Sequence, residues 1–113
     1  MVRIDSTTFG EIKIDGKVYY SDVIVWWDGR VEYREKSHVF AVDEYAKIAK
    51  EKPDCIVVGT GQAGVVRLEP QVLDLAREQG IEIFTEKSPK AIEIFNAFVK
   101  EGKRAVAVIH VTC

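Results

Sequence analysis

Polar and apolar residues alternate over short stretches in the first third of the chain, and then the period changes. In "EIKIDGKVYY" two runs of period two flank Asp15-Gly16. Asp-Gly is the dipeptide that a two-residue hairpin turn favours, because both central residues take positive φ. "DVIVWWDGRVEYR" repeats the arrangement around Asp28-Gly29. There Val23, Val25, Val31 and Tyr33 fall on a common face, while Arg30, Glu32 and Arg34 face water. Two antiparallel hairpins are predicted.

From Val42 onward helical stretches alternate with short apolar ones. "VDEYAKIAKEK" takes Asp43 as its cap, carries Tyr45, Ala46, Ile48 and Ala49 as its apolar positions, and stops before Pro53. "PQVLDLAREQG" is bracketed by Pro70 and Gly80, the residues that open and close a helix. "SPKAIEIFNAFVKEG" is capped by Ser88, opened by Pro89 and closed by Gly102, with Ala91, Ile92, Phe95, Phe98 and Val99 as its stripe. Between these helices lie "CIVV", "IEIF" and "AVAVIHV", β-branched and nearly continuous in apolar character, as strands covered on both faces are. The order predicts an α/β domain: a mixed central sheet flanked by helices, with the N-terminal hairpins as an antiparallel extension.

Size and charge narrow the reading. The 113 residues, 47% of them hydrophobic and without a linker or low-complexity run, make one domain over residues 1–113. The longest apolar runs, Val23 to Trp27 and Ala105 to Ile109, are far shorter than the roughly 20 residues that span a bilayer. "MVRIDSTTFG" has no apolar core of a signal peptide, so the expected location is the cytoplasm. Sixteen basic and eighteen acidic residues are interspersed, which removes the basic stripe that nucleic acid needs. Cys55 and Cys113 are too few for a disulfide framework and are expected as free thiols.

"CIVVGTGQAGVVRLEP" spells G-x-G-x-x-G at Gly59, Gly61 and Gly64, directly after an apolar run. A dinucleotide fingerprint works because its helix starts inside the glycine turn and points N–H groups at the pyrophosphate. Here "VVRLE" intervenes and the helix signal waits until Pro70, so the context does not fit. No Gly-Lys-Ser/Thr follows, which removes a Walker loop. A glycine turn at a strand's carboxyl end can still aim backbone N–H groups at a small anion. Gly59, Thr60, Gly61 and Gly64 are therefore the candidate pocket, with Arg34, Arg67 and His110 as candidate charges beside it.

"IHVTC" places His110 and Thr112 on one face of a strand and Cys113 on the other. That spacing disfavours a Cys–His pair, and with only His38 and Cys55 elsewhere no metal site is expected. No nucleophile elbow is present, and no cofactor is expected. Trp26 and Trp27 put one ring on each side of a strand; an exposed indole beside Tyr19, Tyr20 and Tyr33 would make a protein interface.

Taken in order, "FGEIKIDGKVYYSDVIVW", "REKSHVF", "VVGTG", "LAREQGIEI" and "AIEIFNAFVKEGKRAVAVIHVTC" resemble the adipogenesis-associated domain family, whose eukaryotic branches include a mitochondrial complex I assembly factor. The resemblance spans nearly the whole chain. It implies a three-layer α/β fold with a mixed central sheet and an extra β element. It implies no established enzymatic activity, adaptor- or assembly-like roles, and a pocket at Gly59, Thr60 and Gly61 with no agreed ligand. The leading expectation is a non-enzymatic interaction or assembly module with a protein partner. The alternative is a small-anion or metabolite-binding protein, possibly an enzyme, using Gly59 to Gly64. Neither nucleic acid nor a membrane is expected as a partner.

Overall fold

The first five strands come in antiparallel pairs, as the alternation predicts. In the computed structural model, which describes residues 1–113, β1 is Ile4–Thr8, β2 Glu11–Ile14, β3 Lys17–Tyr19, β4 Asp22–Trp26 and β5 Val31–Arg34. Asp15 and Gly16 both have positive φ, 49° and 82°, the requirement for the tight β2–β3 turn. The second turn is wider: only Gly29 takes positive φ, and the Trp26 N–H bonds to Arg30 O at 2.9 Å. The hairpin extension has a third strand that alternation did not disclose. β1 pairs with β2, and its Ile4 is clamped from afar by Asn96, which accepts the Ile4 N–H at 2.9 Å and donates to Ile4 O at 2.8 Å.

The rest of the chain reads β6 Val39–Phe40, α1 Val42–Ala49, β7 Cys55–Gly59, β8 Arg67–Leu68, α2 Pro70–Gln79, β9 Glu82–Glu86, α3 Ser88–Lys100 and β10 Ala105–Ile109. The main sheet has the order β5-β4-β10-β7-β9 and is mixed. β10 runs antiparallel to β4 and parallel to β7, and β9 is parallel to β7. β6 and β8 form a separate two-stranded parallel pair. The expected three-layer α/β architecture with an antiparallel extension is the observed one.

The period of two sorts the core. Val23, Val25, Cys55, Val57, Ala107 and Ile109 point to the layer formed by α3 and the small sheet. Trp26, Ile56, Val58, Val106 and Val108 point to the layer of α1 and α2. Burying one such aliphatic or aromatic side chain contributes about 1.5–3 kcal/mol, so both faces of the central strands are strongly held. β9 is the exception: it is an edge strand, and Glu82, Thr85 and Glu86 are exposed.

Two helix starts differ from the expected caps. α1 begins at Val42 after Ala41, and Asp43 lies in the first turn without capping it. In α3 Ser88 is inside the helix, after Lys87, and its hydroxyl is committed elsewhere. Gly80 ends α2 at φ 71° and Gly102 follows α3 at φ 85°, where the sequence placed them.

Candidate functional site

The glycine turn leaves β7 at the sheet's carboxyl edge, but its N–H groups other than that of Gly64 are already bonded. Thr60 N donates to Glu86 O at 2.8 Å and Gly61 N to Ser88 Oγ at 2.9 Å. Gln62 N bonds Thr112 O at 2.8 Å, Ala63 N bonds Cys113 O at 2.8 Å, and Val66 N returns to Thr60 O at 3.0 Å. The loop thus cradles the chain's own segment Val111 to Cys113. The first turn of α3 does reach this loop, yet Ser88 N is bonded to Gly61 O and Pro89 has no N–H. Ser88 Oγ donates onward to His110 O at 2.5 Å, so one buried hydroxyl ties loop, helix and β10 extension together. Absence of side chains lets the backbones meet: a Cβ at Gly61 would stand 2.3 Å from the Cys113 carbonyl carbon and 2.8 Å from His110 Cδ2. At Gly59 it would meet Ser88 Oγ at 2.9 Å.

Behind this loop runs a chain of buried polar side chains. Arg34 does not face water: it is 4% exposed. Its Nη1 donates to Asp22 Oδ2 at 2.8 Å, and its Nε donates to Glu44 Oε2 at 2.7 Å. Asp22 also accepts the Val111 N–H at 2.9 Å and lies 2.7 Å from His110 Nδ1. His110 is 1% exposed, its Nε2 is 3.1 Å from Thr112 Oγ1, and His38 covers it edge-on with ring centroids 5.2 Å apart. Every buried side-chain polar atom has a partner. Charges this deep persist only when paired, which explains the alternating order of sign from Glu44 through Arg34 to Asp22.

Local sequence puts each member in place. Asp22 and Arg34 are opposite one another in the β4–β5 register, and Glu44 comes from the first turn of α1. His110 follows β10, which pairs with β4, so that β4 stands between it and the strand of Arg34. Of the sequence candidates, Gly61 and His110 are brought into contact, and Arg34 joins them through Asp22. Thr60 sits on the loop, its hydroxyl on Glu86 O at 3.1 Å, while Gly64 has φ 79° and packs near the Lys87 stem. Arg67 is exposed on β8 and joins none of these bonds. Asp22 and Glu44 were not among the expected site residues, Ser88 was expected only as a helix cap and Thr112 only as sharing a strand face with His110; the signal for Asp22 was a lone carboxylate at the head of the apolar run "DVIVW".

A groove lies on another part of the same network. It has a volume of about 750 Å³ and runs between the open edge strand β5 and α1. Ile24, Trp26, Val39 and Ile48 form its apolar side, and Arg34 with Glu44 closes one part of it. Neither indole is exposed: Trp26 is 3% accessible and donates to Glu32 Oε1 at 2.5 Å, and Trp27 is half-buried. Arg30 stacks on Trp26 at 4.4 Å, and Arg104 on Trp27 at 4.7 Å. The exposed aromatic rings are Tyr33, at the edge strand, with Tyr20 and Phe9; Tyr19 is half-buried. Arg30 also bonds Asp28 and Glu51, and its hydrogen bonds hold both carboxyls below the usual carboxylate range.

The two thiols sit in opposite settings. Cys55 is 2% exposed, and burial pushes its thiol up to about 11; Cys113 is half-buried beside the glycine loop. Since the thiolate is the reactive form, a thiol reagent at neutral pH is expected to modify the native protein once, at Cys113, and to reach Cys55 only on unfolding. Counting modified thiols by mass spectrometry with and without denaturant checks this.

A family model described as a protein of unknown function (DUF498/DUF598) matches residues 4–110. The chain belongs to this family. Among DUF498/DUF598 relatives, the mouse protein named NADH dehydrogenase [ubiquinone] 1 alpha subcomplex assembly factor 3 is 29% identical over 105 residues, covering 90% of this chain and 56% of its own. The chain therefore spans little more than half the length of that curated relative. The crystal structure of the conserved hypothetical protein PH1505 from Pyrococcus horikoshii OT3 superposes with a TM-score of 0.87 at 31% identity, covering 98% of this chain and 99% of that one. The structure of MT938 gives 0.85 at 28% identity over the whole of both chains. No helix of this DUF498/DUF598 chain is long and apolar enough to cross a membrane.

Proposed function

We propose that the chain is an interaction module with an assembly-type role, docking a protein partner along the groove between β5 and α1. The observation that carries this reading is the groove itself, a cleft of about 750 Å³ opening at the unpaired edge of the main sheet. An open edge strand presents backbone donors and acceptors to which an extended segment can add, and the cleft beside it sets Ile24, Trp26, Val39 and Ile48 among mostly polar side chains. Tyr33, 73% exposed on that strand, supplies an amphipathic ring of the kind enriched at interfaces. The assembly-factor relative supports the same class of role. Support for a small anion at Gly59 to Gly64 is weak, because the N–H groups of Thr60, Gly61, Gln62 and Ala63 are bonded within the fold and only that of Gly64 is not.

Affinity purification from the native host tests the reading. Partners captured by the tagged wild-type chain are expected to be lost with Tyr33→Asp and with Glu32→Lys, and kept with Leu73→Asp, an exposed apolar control on α2. Partners indifferent to both groove variants would overturn it.

A further inference from the structure

We propose that Thr112 is a nucleophilic hydroxyl, activated by His110 and oriented by Asp22, that accepts an acyl group from an activated acyl donor. The argument starts with the tautomer of His110. Both Asp22 oxygens accept, Oδ2 from Arg34 at 2.8 Å and Oδ1 from the Val111 N–H at 2.9 Å, so toward His110 Nδ1, 2.7 Å away, Asp22 is an acceptor as well. Nδ1 therefore carries the ring proton and donates it. Nε2 is left with a lone pair, and its partner is Thr112 Oγ1 at 3.1 Å, which must be the donor. This is the ordering of hydroxyl, imidazole and carboxylate by which acyl-transfer sites make a hydroxyl nucleophilic, and it is recognised by geometry, not by chain order.

Three further observations fit a reacting site. The base is shielded, with His110 1% exposed, whereas Thr112 is only half-buried. The ring cannot rotate away, because Asp22 fixes one nitrogen and His38 packs edge-on at 5.2 Å. The backbone N–H of Thr112 has no hydrogen-bond partner in the fold, which leaves a donor on the residue that carries the hydroxyl. The contact itself follows from strand period: residues two apart on an extended segment share a face.

The step is balanced without any redox partner. Oγ1 bonds to the acyl carbon as its proton passes to Nε2, and the carbonyl electron pair moves onto oxygen. When the carbonyl re-forms, the bond to the leaving group breaks with its electron pair, and the leaving group takes the proton from Nε2. The products are O-acyl-Thr112, the protonated leaving group and His110 in its starting form.

The experiment uses p-nitrophenyl acetate as probe and the full chain carrying Cys113→Ala, since the neighbouring thiol would otherwise compete. Nitrophenol release gives the rate and peptide mass spectrometry gives the position. One acetyl group is expected on Thr112, formed more slowly in D2O because a proton moves in the rate-determining step. Thr112→Ser is expected to retain acetylation. Thr112→Val, which removes the hydroxyl and leaves the buried His110 Nε2 without its partner, is expected to melt at a somewhat lower temperature yet stay folded by circular dichroism, and to lower the rate about 10²-fold or more. Label confined to lysines or the N-terminus, no label, or an equal rate in Thr112→Val would each overturn the proposal.

Discussion

Asp22→Ala is expected to lower the stability of the domain by about 3–5 kcal/mol, the scale found when one partner of a buried ion pair is deleted. Asp22 is 3% exposed and serves Arg34, His110 and the Val111 N–H at once. Its loss leaves Arg34 with Glu44 as its one carboxylate partner, strands a ring N–H and strands a backbone N–H. Such a loss corresponds to a drop of roughly 10–20 °C in melting temperature for a domain of this size, read by circular dichroism. The diagnostic is the double variant. Asp22→Ala with Arg34→Met removes both charges, and is expected to be less destabilised than the sum of the single variants, because a buried pair costs most when half of it remains. Additive losses would mean that the two side chains do not depend on one another.

Gly61→Ala is expected to cost about 2–5 kcal/mol, combining a strained backbone with overpacking. Gly61 has φ +108°, and its new Cβ would fall 2.3 Å and 2.6 Å from the Cys113 carbonyl carbon and oxygen, which are backbone atoms with nowhere to go. The segment Thr112 to Cys113 must then leave the loop. Urea unfolding should show the loss, and Cys113 should react faster with a thiol reagent than in the wild type. Gly64→Ala gives the contrast: φ is +79°, but the nearest atom is 3.5 Å away in the flexible Lys87 side chain, so about 1–2 kcal/mol is expected from the backbone alone. Equal costs at the two positions would show that contact with the C-terminal segment is not what requires glycine at position 61.

These results bear on how the G-x-G-x-x-G spelling arises here. Gly59 permits close approach of Ser88 and Ile109, Gly61 makes room for Cys113 and His110, and Gly64 supplies positive φ in the loop. The pattern serves packing of a β-strand exit against a helix start and a returning chain segment. None of the three glycines frees an N–H for a phosphate, apart from that of Gly64, which forms no bond in the fold.

Much of the architecture was legible along the chain. Period two in "EIKI", "DVIVW" and "AVAVI", helical stripes in "AIEIFNAFV", and stop signals at Gly80 and Gly102 each express a preference of a few residues for one backbone conformation, and such preferences act before the chain is folded. Hence the hairpins, the three helices and the two-sided burial of the central strands follow from the sequence by itself. So does the mismatch between the glycine motif and a dinucleotide site, since the helix begins at Pro70 whatever the tertiary arrangement. Other features depended on which strands became neighbours. Alternation put Arg34 in water with Arg30 and Glu32; the β4–β5 register and the position of α1 gave it two carboxylates and buried it. Ser88 had the chemistry of a cap, yet the approach of β7 and β10 turned its hydroxyl toward Gly61 and His110. Asp22 and His110, 88 residues apart, meet only because β10 inserts beside β4. A charge is buried or exposed according to what stands opposite it, and that is a property of the assembled sheet, so only the tertiary structure could decide where the polar centre of this protein lies.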